Sequence, residues 1–373
     1  MGTDGASNIS IRGSCQRESI LVVELTRLGD VICMLPALAC LRGFFPQALI
    51  TCVVQAPYAP LVRALDLDLE AVGPQLSQTV RGFFGALLAV RRIQPDIACS
   101  MSPAKRNALL VLGSGARVKA GYLRFVSTST PYLRENPVHG PSSKGDHKLT
   151  YGREHISLRS TRVCAALGIP TPVPMPSPAL KSDALLGARR SLTPFLANVQ
   201  KPYLVIHPFA AWEYREWPIR SFLRLAEAIV AVDDFDVVVI CEERERQRWE
   251  QIASGSPHAG RIHLCVSSSI LESAALIQGS QLLVGNDSGP LHLAALLGIP
   301  VVGLYGPASP ELTAPRGAEG VFLHHAVECS PCAQTTCVRP ADYCMKSITL
   351  NEVLGAIRSL CVARTQSGVN AHA

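Results

Sequence analysis

Chemically useful side chains are concentrated in one stretch, LLVGNDSGPLHLAALLGIPVVGLYGP, at residues 282–307. Asp287, Ser288, Gly289 and His292 follow an apolar run and open a segment rich in Leu and Ala. A helix that starts here would offer unpaired N–H groups and a partial positive charge, which suit a phosphate. Simple helix capping by Asp287 or Ser288 is the alternative. Capping alone would not require Asp287, Ser288, Gly289 and His292 together, so we favour an anion-binding loop.

A second polar group follows the apolar run at residues 19–25 and contains Thr26, Gly29 and Asp30. Gly29 allows a tight turn, and Asp30 falls at the start of a predicted helix. The Asp30 carboxylate either complements the helix dipole or serves as a general base at the open edge of a sheet. Its position in the sequence leaves both interpretations open.

A third group lies in the long connection that begins at His207. Arg215 of this connection can bind a phosphate through two parallel N–H donors. The alternative is a surface salt bridge from Arg215 to Glu213 or Glu216.

Four cysteines near the end of the chain have the spacing C-x2-C-x4-C-x6-C: Cys329, Cys332, Cys337 and Cys344. Such compact spacing is typical of metal sites, although the paired knuckles of a zinc ribbon are missing. A structural metal, free thiols and a local disulfide all stay open.

These groups require strands and helices that alternate along the chain. In the stretch that opens this section, the pattern predicts a strand at 282–285, a helix at 291–297 and a strand at 301–305, which together form a parallel βαβ unit. Further strands are predicted at 19–25, 49–54, 96–101, 118–121, 203–206, 235–241 and 262–265. Helices are predicted at 31–45, 58–65, 76–92, 105–113, 155–167, 219–232, 244–254, 269–278 and 348–362. This alternation predicts an α/β class with two doubly wound domains.

Prolines at alternate positions between 170 and 178 predict an extended linker between the domains. A proline-, glycine- and lysine-containing stretch at 127–152 predicts a basic surface loop, either closing over a substrate or simply disordered. The predicted organisation is a disordered tail at 1–18, an N-terminal domain at 19–168, the linker at 169–180, a C-terminal domain at 181–345 and a final helix at 346–363.

The composition excludes several classes of protein. The chain has 373 residues, 17% charged and 48% hydrophobic, and a formal net charge of +6. This mild, diffuse charge does not favour nucleic-acid binding, but it suits an anionic substrate or membrane surface. The chain has neither an apolar run of transmembrane length nor an apolar signal core near Met1, so we expect a cytoplasmic protein.

Four segments in this order resemble the ADP-heptose:lipopolysaccharide heptosyltransferases, glycosyltransferase family 9. They are LVVELTRLGDVICMLPALACLR, HPFAAWEYREWPIRSF, LLVGNDSGPLHLAALLGIPVVGLYGP and CSPCAQTTC with the later CM. The cysteine segment is similar to that of the heptosyltransferase II branch. The resemblance extends over residues 19–358, and the combination is more specific than any one segment.

The resemblance implies a GT-B fold, in which two Rossmann-like domains face each other across a cleft. It implies inverting transfer of a heptose from ADP-heptose to a lipid-linked saccharide, the inner core of lipopolysaccharide, at the inner face of the cytoplasmic membrane. Asp30 matches the general base. Asp287, Ser288, Gly289 and His292 fall on the donor-binding segment, and Arg215 stands where the family usually has Lys.

Thr26, Gly29 and His207 lie on the same matching segments and are expected to contact donor or acceptor. No Asp-x-Asp metal motif is evident near the carboxyl edge of either predicted sheet, so neither a metal nor another cofactor is required, and the nucleotide sugar is a substrate. The alternatives are another nucleotide sugar, a protein acceptor, or a non-catalytic nucleotide-sugar-binding protein. The oligomeric state is not indicated by the sequence.

Overall fold

A computed structural model describes residues 17–73, 80–121, 155–171, 177–332, 334 and 336–367. The predicted loop at 127–152, most of the predicted tail and linker residues 172–176 lie outside the described residues. The chain divides into two compact units, and the division after the linker falls between Lys181 and Ser182. We call them unit 1 and unit 2.

Unit 1 is an α/β unit built around five parallel strands. In chain order its elements are β1 (Ser19–Glu24), α1 (Leu28–Phe44), β2 (Leu49–Val54), a 3-10 turn (Ala56–Tyr58), α2 (Ala59–Arg63), β3 (Glu70–Val72), α3 (Val80–Arg92), β4 (Ile97–Ser100), α4 (Lys105–Gly113), β5 (Val118–Gly121) and α5 (Leu158–Ala166). The strand order is β3-β2-β1-β4-β5, and every pairing is parallel.

Strand β1 is buried along its whole length, as expected for an apolar run at the centre of a parallel sheet. Leu21 and Val23 of β1 pack with Ala98 of β4 and with Leu110 and Val111 of α4. The strand order reverses between β1 and β4. In an open parallel sheet this reversal creates a crevice at the carboxyl ends of the two strands, where ligands bind.

Unit 2 contains six parallel strands. Its elements are α6 (Ser182–Ser191), α7 (Thr193–Leu196), β6 (Tyr203–His207), a 3-10 turn (Glu213–Arg215), α8 (Ile219–Val232), β7 (Asp236–Cys241), α9 (Glu243–Ala253), β8 (Ile262–Val266), α10 (Ile270–Gln278), β9 (Leu283–Asn286), α11 (Gly289–Leu296), β10 (Val301–Tyr305), α12 (Pro310–Thr313), β11 (Gly320–His324), a 3-10 turn (Cys344–Ser347) and α13 (Leu350–Ser367). The order is β11-β10-β9-β6-β7-β8, again parallel throughout.

The final helix belongs to the core of unit 2. Val353 and Ile357 of α13 are buried in the same cluster as Phe222 of α8 and Leu304 of β10. Trp217 at the start of α8 is also buried there, and its indole N–H donates to the carbonyl of Ile348 at 2.9 Å. Among the described residues, no helix has the length and apolar character needed to cross a membrane.

The main differences from the predicted elements lie at helix starts and in short segments. Helix α1 begins at Leu28, so Gly29 and Asp30 lie inside its first turn and the predicted tight turn at Gly29 is wrong. Helix α11 begins at Gly289, two residues before the predicted start. The sequence analysis missed β3, β11, α6, α7 and α12, because these segments are short or lack a clear apolar period.

Candidate functional site

The reversal of strand order in unit 2 lies between β6 and β9, and Asn286 joins the ends of these strands. The backbone N–H of Trp217 donates to Asn286 Oδ1, and Asn286 Nδ2 donates to the carbonyl of Pro208, both at 2.8 Å. Asn286 is fully buried. One amide side chain therefore fixes both ends of the connection that carries Arg215.

Arg215 forms a buried ion pair with Asp287, its Nη2 donating to Oδ2 of the carboxylate. The two side chains are 13% and 6% exposed. The predicted alternative, a surface salt bridge from Arg215 to Glu213 or Glu216, is wrong, because Arg215 is largely buried and pairs with Asp287, while Glu216 pairs with Arg248 at 2.6 Å. Within the described part of the chain, Arg215 Nε is buried and has no hydrogen-bond partner. This N–H is therefore available to an incoming acceptor atom.

Ser288 is the N-cap residue of α11, but its side chain makes no capping hydrogen bond. The hydroxyl instead lies 3.1 Å from Nδ1 of His207, at the end of β6. The expected capping by a side chain is therefore not observed at Ser288. Burial lowers the pKa of His207 to about 4, so this imidazole is neutral near pH 7. A neutral imidazole orients the Ser288 hydroxyl without adding positive charge.

Gly289 is the first residue of α11, and His292 is buried in the same turn. The first N–H groups of a helix have no partner within it. This helix start, with the adjoining Arg215 side chain, forms a donor-rich end of the sheet that suits a diphosphate. The predicted donor residues Arg215, Asp287, Ser288 and Gly289 are thus brought to one edge, although Arg215 lies more than seventy positions earlier in the chain.

The corresponding reversal in unit 1 holds the predicted base. Asp30 lies in the first turn of α1, whose N-cap residue is Arg27 and has no side-chain capping bond. Asp30 therefore does not cap the helix, although it favours the helix dipole. Thr26 uses both its backbone N–H and its hydroxyl to donate to Oε1 of Glu24.

Glu24 is the residue that the sequence analysis missed. It ends β1 and is 1% exposed. Besides the two bonds from Thr26, its Oε1 accepts from the hydroxyl of Ser102 at 3.1 Å and from Nδ2 of Asn107 at 3.2 Å. Burial, and second the charge of Asp30, raise the pKa of Glu24 to about 7, against the lowering effect of these hydrogen bonds. The signal in the sequence that could have identified it was a glutamate within the otherwise apolar run at residues 19–25.

A small cavity lies where these residues meet. The space at this site, including the part open to solvent, is about 220 Å³, and its lining includes Glu24, Asp30, Ser102 and Arg159. Two carboxyl groups, a hydroxyl and a guanidinium can bind a hydroxyl group and move its proton. The cavity lies at the carboxyl ends of β1 and β4, as the strand order predicts.

The four cysteines are free thiols. Cys344 begins a 3-10 turn, and its Sγ would lie 2.7 Å from a Cβ placed on Gly306. Burial, followed by the neighbouring Cys332 and Cys329, raises the pKa of the Cys344 thiol to about 11. Across the described residues, no three side chains of His, Cys, Asp or Glu are arranged to hold a metal ion. A structural metal at these cysteines stays a prediction.

Comparison with known proteins shows which family this chain matches. Residues 88–341 match the model of glycosyltransferase family 9 (heptosyltransferase). Lipopolysaccharide heptosyltransferase 1 of Pseudomonas aeruginosa is 24% identical over 327 residues, which cover 85% of this chain and 87% of that protein.

Two solved structures share the fold. The glycosyl transferase family 9 protein of Veillonella parvula has a TM-score of 0.74 at 19% identity, covering 93% of this chain and 97% of its own. The ADP-heptose lipopolysaccharide heptosyltransferase II of E. coli has a TM-score of 0.72 at 18% identity, covering 93% and 99%. The predicted GT-B class, with two Rossmann-like units, is confirmed. Since the family match spans well over half of its length, the chain belongs to glycosyltransferase family 9, the heptosyltransferases.

Proposed function

We propose that this protein transfers a heptose from ADP-heptose to an inner-core sugar of lipopolysaccharide, with inversion at the anomeric carbon. The reaction class follows from the family, and two of the proteins named above, from Pseudomonas aeruginosa and E. coli, are lipopolysaccharide heptosyltransferases. The acceptor is a lipid-linked saccharide, which places the reaction at the inner face of the cytoplasmic membrane. The mildly basic net charge of +6 suits an anionic surface.

The observation that carries the donor assignment is the buried Nε–H of Arg215, which has no partner among the described residues and lies beside Asp287 and the start of α11. A buried donor without a partner costs about 1–3 kcal/mol, and a diphosphate oxygen would satisfy it. As the bond from the sugar to the diphosphate breaks, negative charge develops on the leaving ADP. Arg215 and the first amides of α11, including that of Gly289, would stabilise this charge.

The acceptor hydroxyl supplies the nucleophile. Its O–H proton passes to the carboxylate of Asp30, its oxygen bonds to the anomeric carbon, and the electron pair of the breaking bond leaves with ADP. His207 stays neutral and holds the Ser288 hydroxyl in place. No step requires a bound metal ion to balance it.

The test is the substitution Asp30→Asn, assayed by ADP release from ADP-heptose with a truncated core lipid. We expect a loss of transfer on the order of 10²–10⁴-fold, the usual contribution of a general base. ADP affinity should be unchanged, because the donor groups lie in unit 2. Asp66→Asn, an exposed carboxylate of unit 1, serves as the control and should retain full activity.

A substantially active Asp30→Asn protein would remove Asp30 from this role. Tight ADP-heptose binding by the wild-type protein without acceptor-dependent ADP release would favour a binding protein. Release driven by another nucleotide sugar, or by a protein acceptor, would reassign the substrates while keeping the reaction class.

A further inference from the structure

The carboxyl group of Glu24 lies at the point in unit 1 where the strand order reverses. Glu24 ends β1, while Ser102 follows β4 and Asn107 lies in α4. Asn107 is fully buried; its Oδ1 accepts from the backbone N–H of Leu25 at 3.0 Å, and its Nδ2 donates to both Glu24 and Ser102. The carboxyl is therefore held rigidly by residues some eighty positions away.

Glu24 accepts two hydrogen bonds from Thr26, one from Ser102 and one from Asn107, and all four end on Oε1. Glu24 also lines the cavity that it shares with Asp30. A purely structural anchor at this point would need one acceptor oxygen, which a glutamine amide supplies equally well. The second oxygen gives the group an ionisable proton beside the proposed base, and a glutamine cannot supply that.

The surroundings of Glu24 come from four directions, two of them with charged or titratable groups. Helix α1 contributes Asp30 and Cys33 to the cavity, and α5 contributes Arg159. From the β4–α4 side the contacts are neutral, through Ser102 and Asn107. On the β2 side the neutral Gln55 donates to the carbonyls of residues 25 and 26. Asp30 is thus the anionic partner of Glu24 in this cavity.

We propose that Glu24 is a positioning residue for transfer, which acts through Asp30 by placing a second, switchable negative charge beside it. This inference rests on the proposed role of Asp30 as general base. When Glu24 is ionised, repulsion between the two carboxylates makes proton uptake by Asp30 more favourable. When Glu24 carries a proton, this assistance is lost.

The chemistry predicts a specific pH profile. Since the pKa of Glu24 is raised to about 7, kcat/KM of the wild-type protein should rise with pH through a limb centred near 7. Glu24→Gln keeps an oxygen for the four hydrogen bonds and removes the titration. We expect the variant to lack this limb and to be roughly tenfold slower than wild type at pH 8.5.

Ser102→Ala provides an independent variant that leaves the carboxyl in place. The Ser102 hydrogen bond lowers the pKa of Glu24, so its loss should move the limb to higher pH. Asp96→Asn is the matched control, because Asp96 is a buried carboxyl at the opposite edge of the same sheet, where it accepts from the N–H of Ser19 at 2.9 Å. It should leave the limb unmoved. If Glu24→Gln does not fold, the direction in which Ser102→Ala moves the pH limb tests the proposal instead.

A stability measurement separates failure of this proposal from failure of the proposed function. A raised folded-state pKa means that Glu24 favours the folded state below pH 4.5, and this contribution is lost as the pH rises through about 7. The difference in unfolding midpoint between wild type and Glu24→Gln should follow that titration. In an Asp30→Asn background the titration should move to lower pH, because the repulsion is gone.

The outcomes are distinct. If Asp30→Asn is active and the Glu24 titration still moves to lower pH in that background, only the general-base role of Asp30 is contradicted. An inactive Asp30→Asn protein, together with a Glu24→Gln protein that keeps the wild-type limb near pH 7, overturns the role proposed for Glu24. A limb that Ser102→Ala leaves in place would overturn it as well.

Discussion

At the scale of single residues, the donor half of the proposed site depends on one buried ion pair. Arg215 and Asp287 are both largely buried, and a buried pair adds little net stability because desolvation offsets the attraction. The pair instead fixes the position of the Arg215 guanidinium. Asp287 holds Nη2 of the guanidinium, and the neighbouring Nε–H stays free of partners in the described structure.

Removing one member of this pair should therefore separate stability from binding. Arg215→Met leaves the Asp287 carboxylate buried and unpaired, which costs about 3–5 kcal/mol of unfolding free energy. It should also weaken ADP binding roughly 10–100-fold, since a hydrogen bond to a charged group is worth about 1.5–3 kcal/mol. Chemical denaturation and calorimetric ADP titration measure the two effects.

The double substitution Arg215→Met with Asp287→Asn is the control. It removes the uncompensated charge, so we expect part of the lost stability to return while ADP affinity stays low. Recovery of affinity in the double variant would show that Arg215 serves only to neutralise Asp287.

At the scale of elements, both units place a buried or half-buried titratable side chain at the end of the first strand of a Rossmann-like sheet. Glu24 ends β1 and His207 ends β6. Burial favours the neutral form of each, raising the pKa of Glu24 to about 7 and lowering that of His207 to about 4. Near neutral pH the acid is therefore poised to titrate, while the imidazole remains an uncharged hydrogen-bonding group.

The connection between β6 and α8 depends on Asn286. In Asn286→Ala, the N–H of Trp217 and the carbonyl of Pro208 lose their partners in a buried region, and each such loss costs about 1–3 kcal/mol. We expect a lower unfolding midpoint and a raised KM for the donor, because Arg215 is no longer held in place. Asn198→Ala, at an exposed asparagine that donates to the carbonyl of Pro194, is the surface control. An Asn286→Ala protein with unchanged donor KM would show that the connection is fixed by other contacts.

The sequence predicted the order of most elements because long apolar runs and glycine stops are local features. The strand–helix–strand unit around Gly298 is an example, and its last strand is confirmed at Val301–Tyr305. Partners across the sheet could not be predicted in this way. Arg215 meets Asp287 across 72 positions, and Glu24 meets Asn107 across 83. Neither pairing produces a periodic pattern in the sequence, so a local salt bridge from Arg215 was also a reasonable prediction.

At the scale of the whole molecule, the two units repeat one topology with different chemistry. Both reverse strand order beside their first strand, between β1 and β4 in unit 1 and between β6 and β9 in unit 2. Unit 1 gathers carboxyl groups there, which suits removal of a proton. Unit 2 gathers a guanidinium and a helix start, which suits a diphosphate. Under the proposed function, the proton acceptor and the donor-binding groups therefore come from different units.

Donor binding should accordingly be visible in the unfolding of the whole protein. ADP at about 100 times its Kd should stabilise the folded state by about 2.7 kcal/mol. At roughly 2–4 °C per kcal/mol for a unit of this size, the midpoint of the transition that includes unit 2 should rise by roughly 5–10 °C. Scanning calorimetry with ADP, UDP and GDP at equal concentrations measures this effect, with Arg215→Met as the control expected to respond little. A larger shift with UDP or GDP than with ADP would exclude ADP-heptose as the preferred donor, since the site would then discriminate in favour of another base.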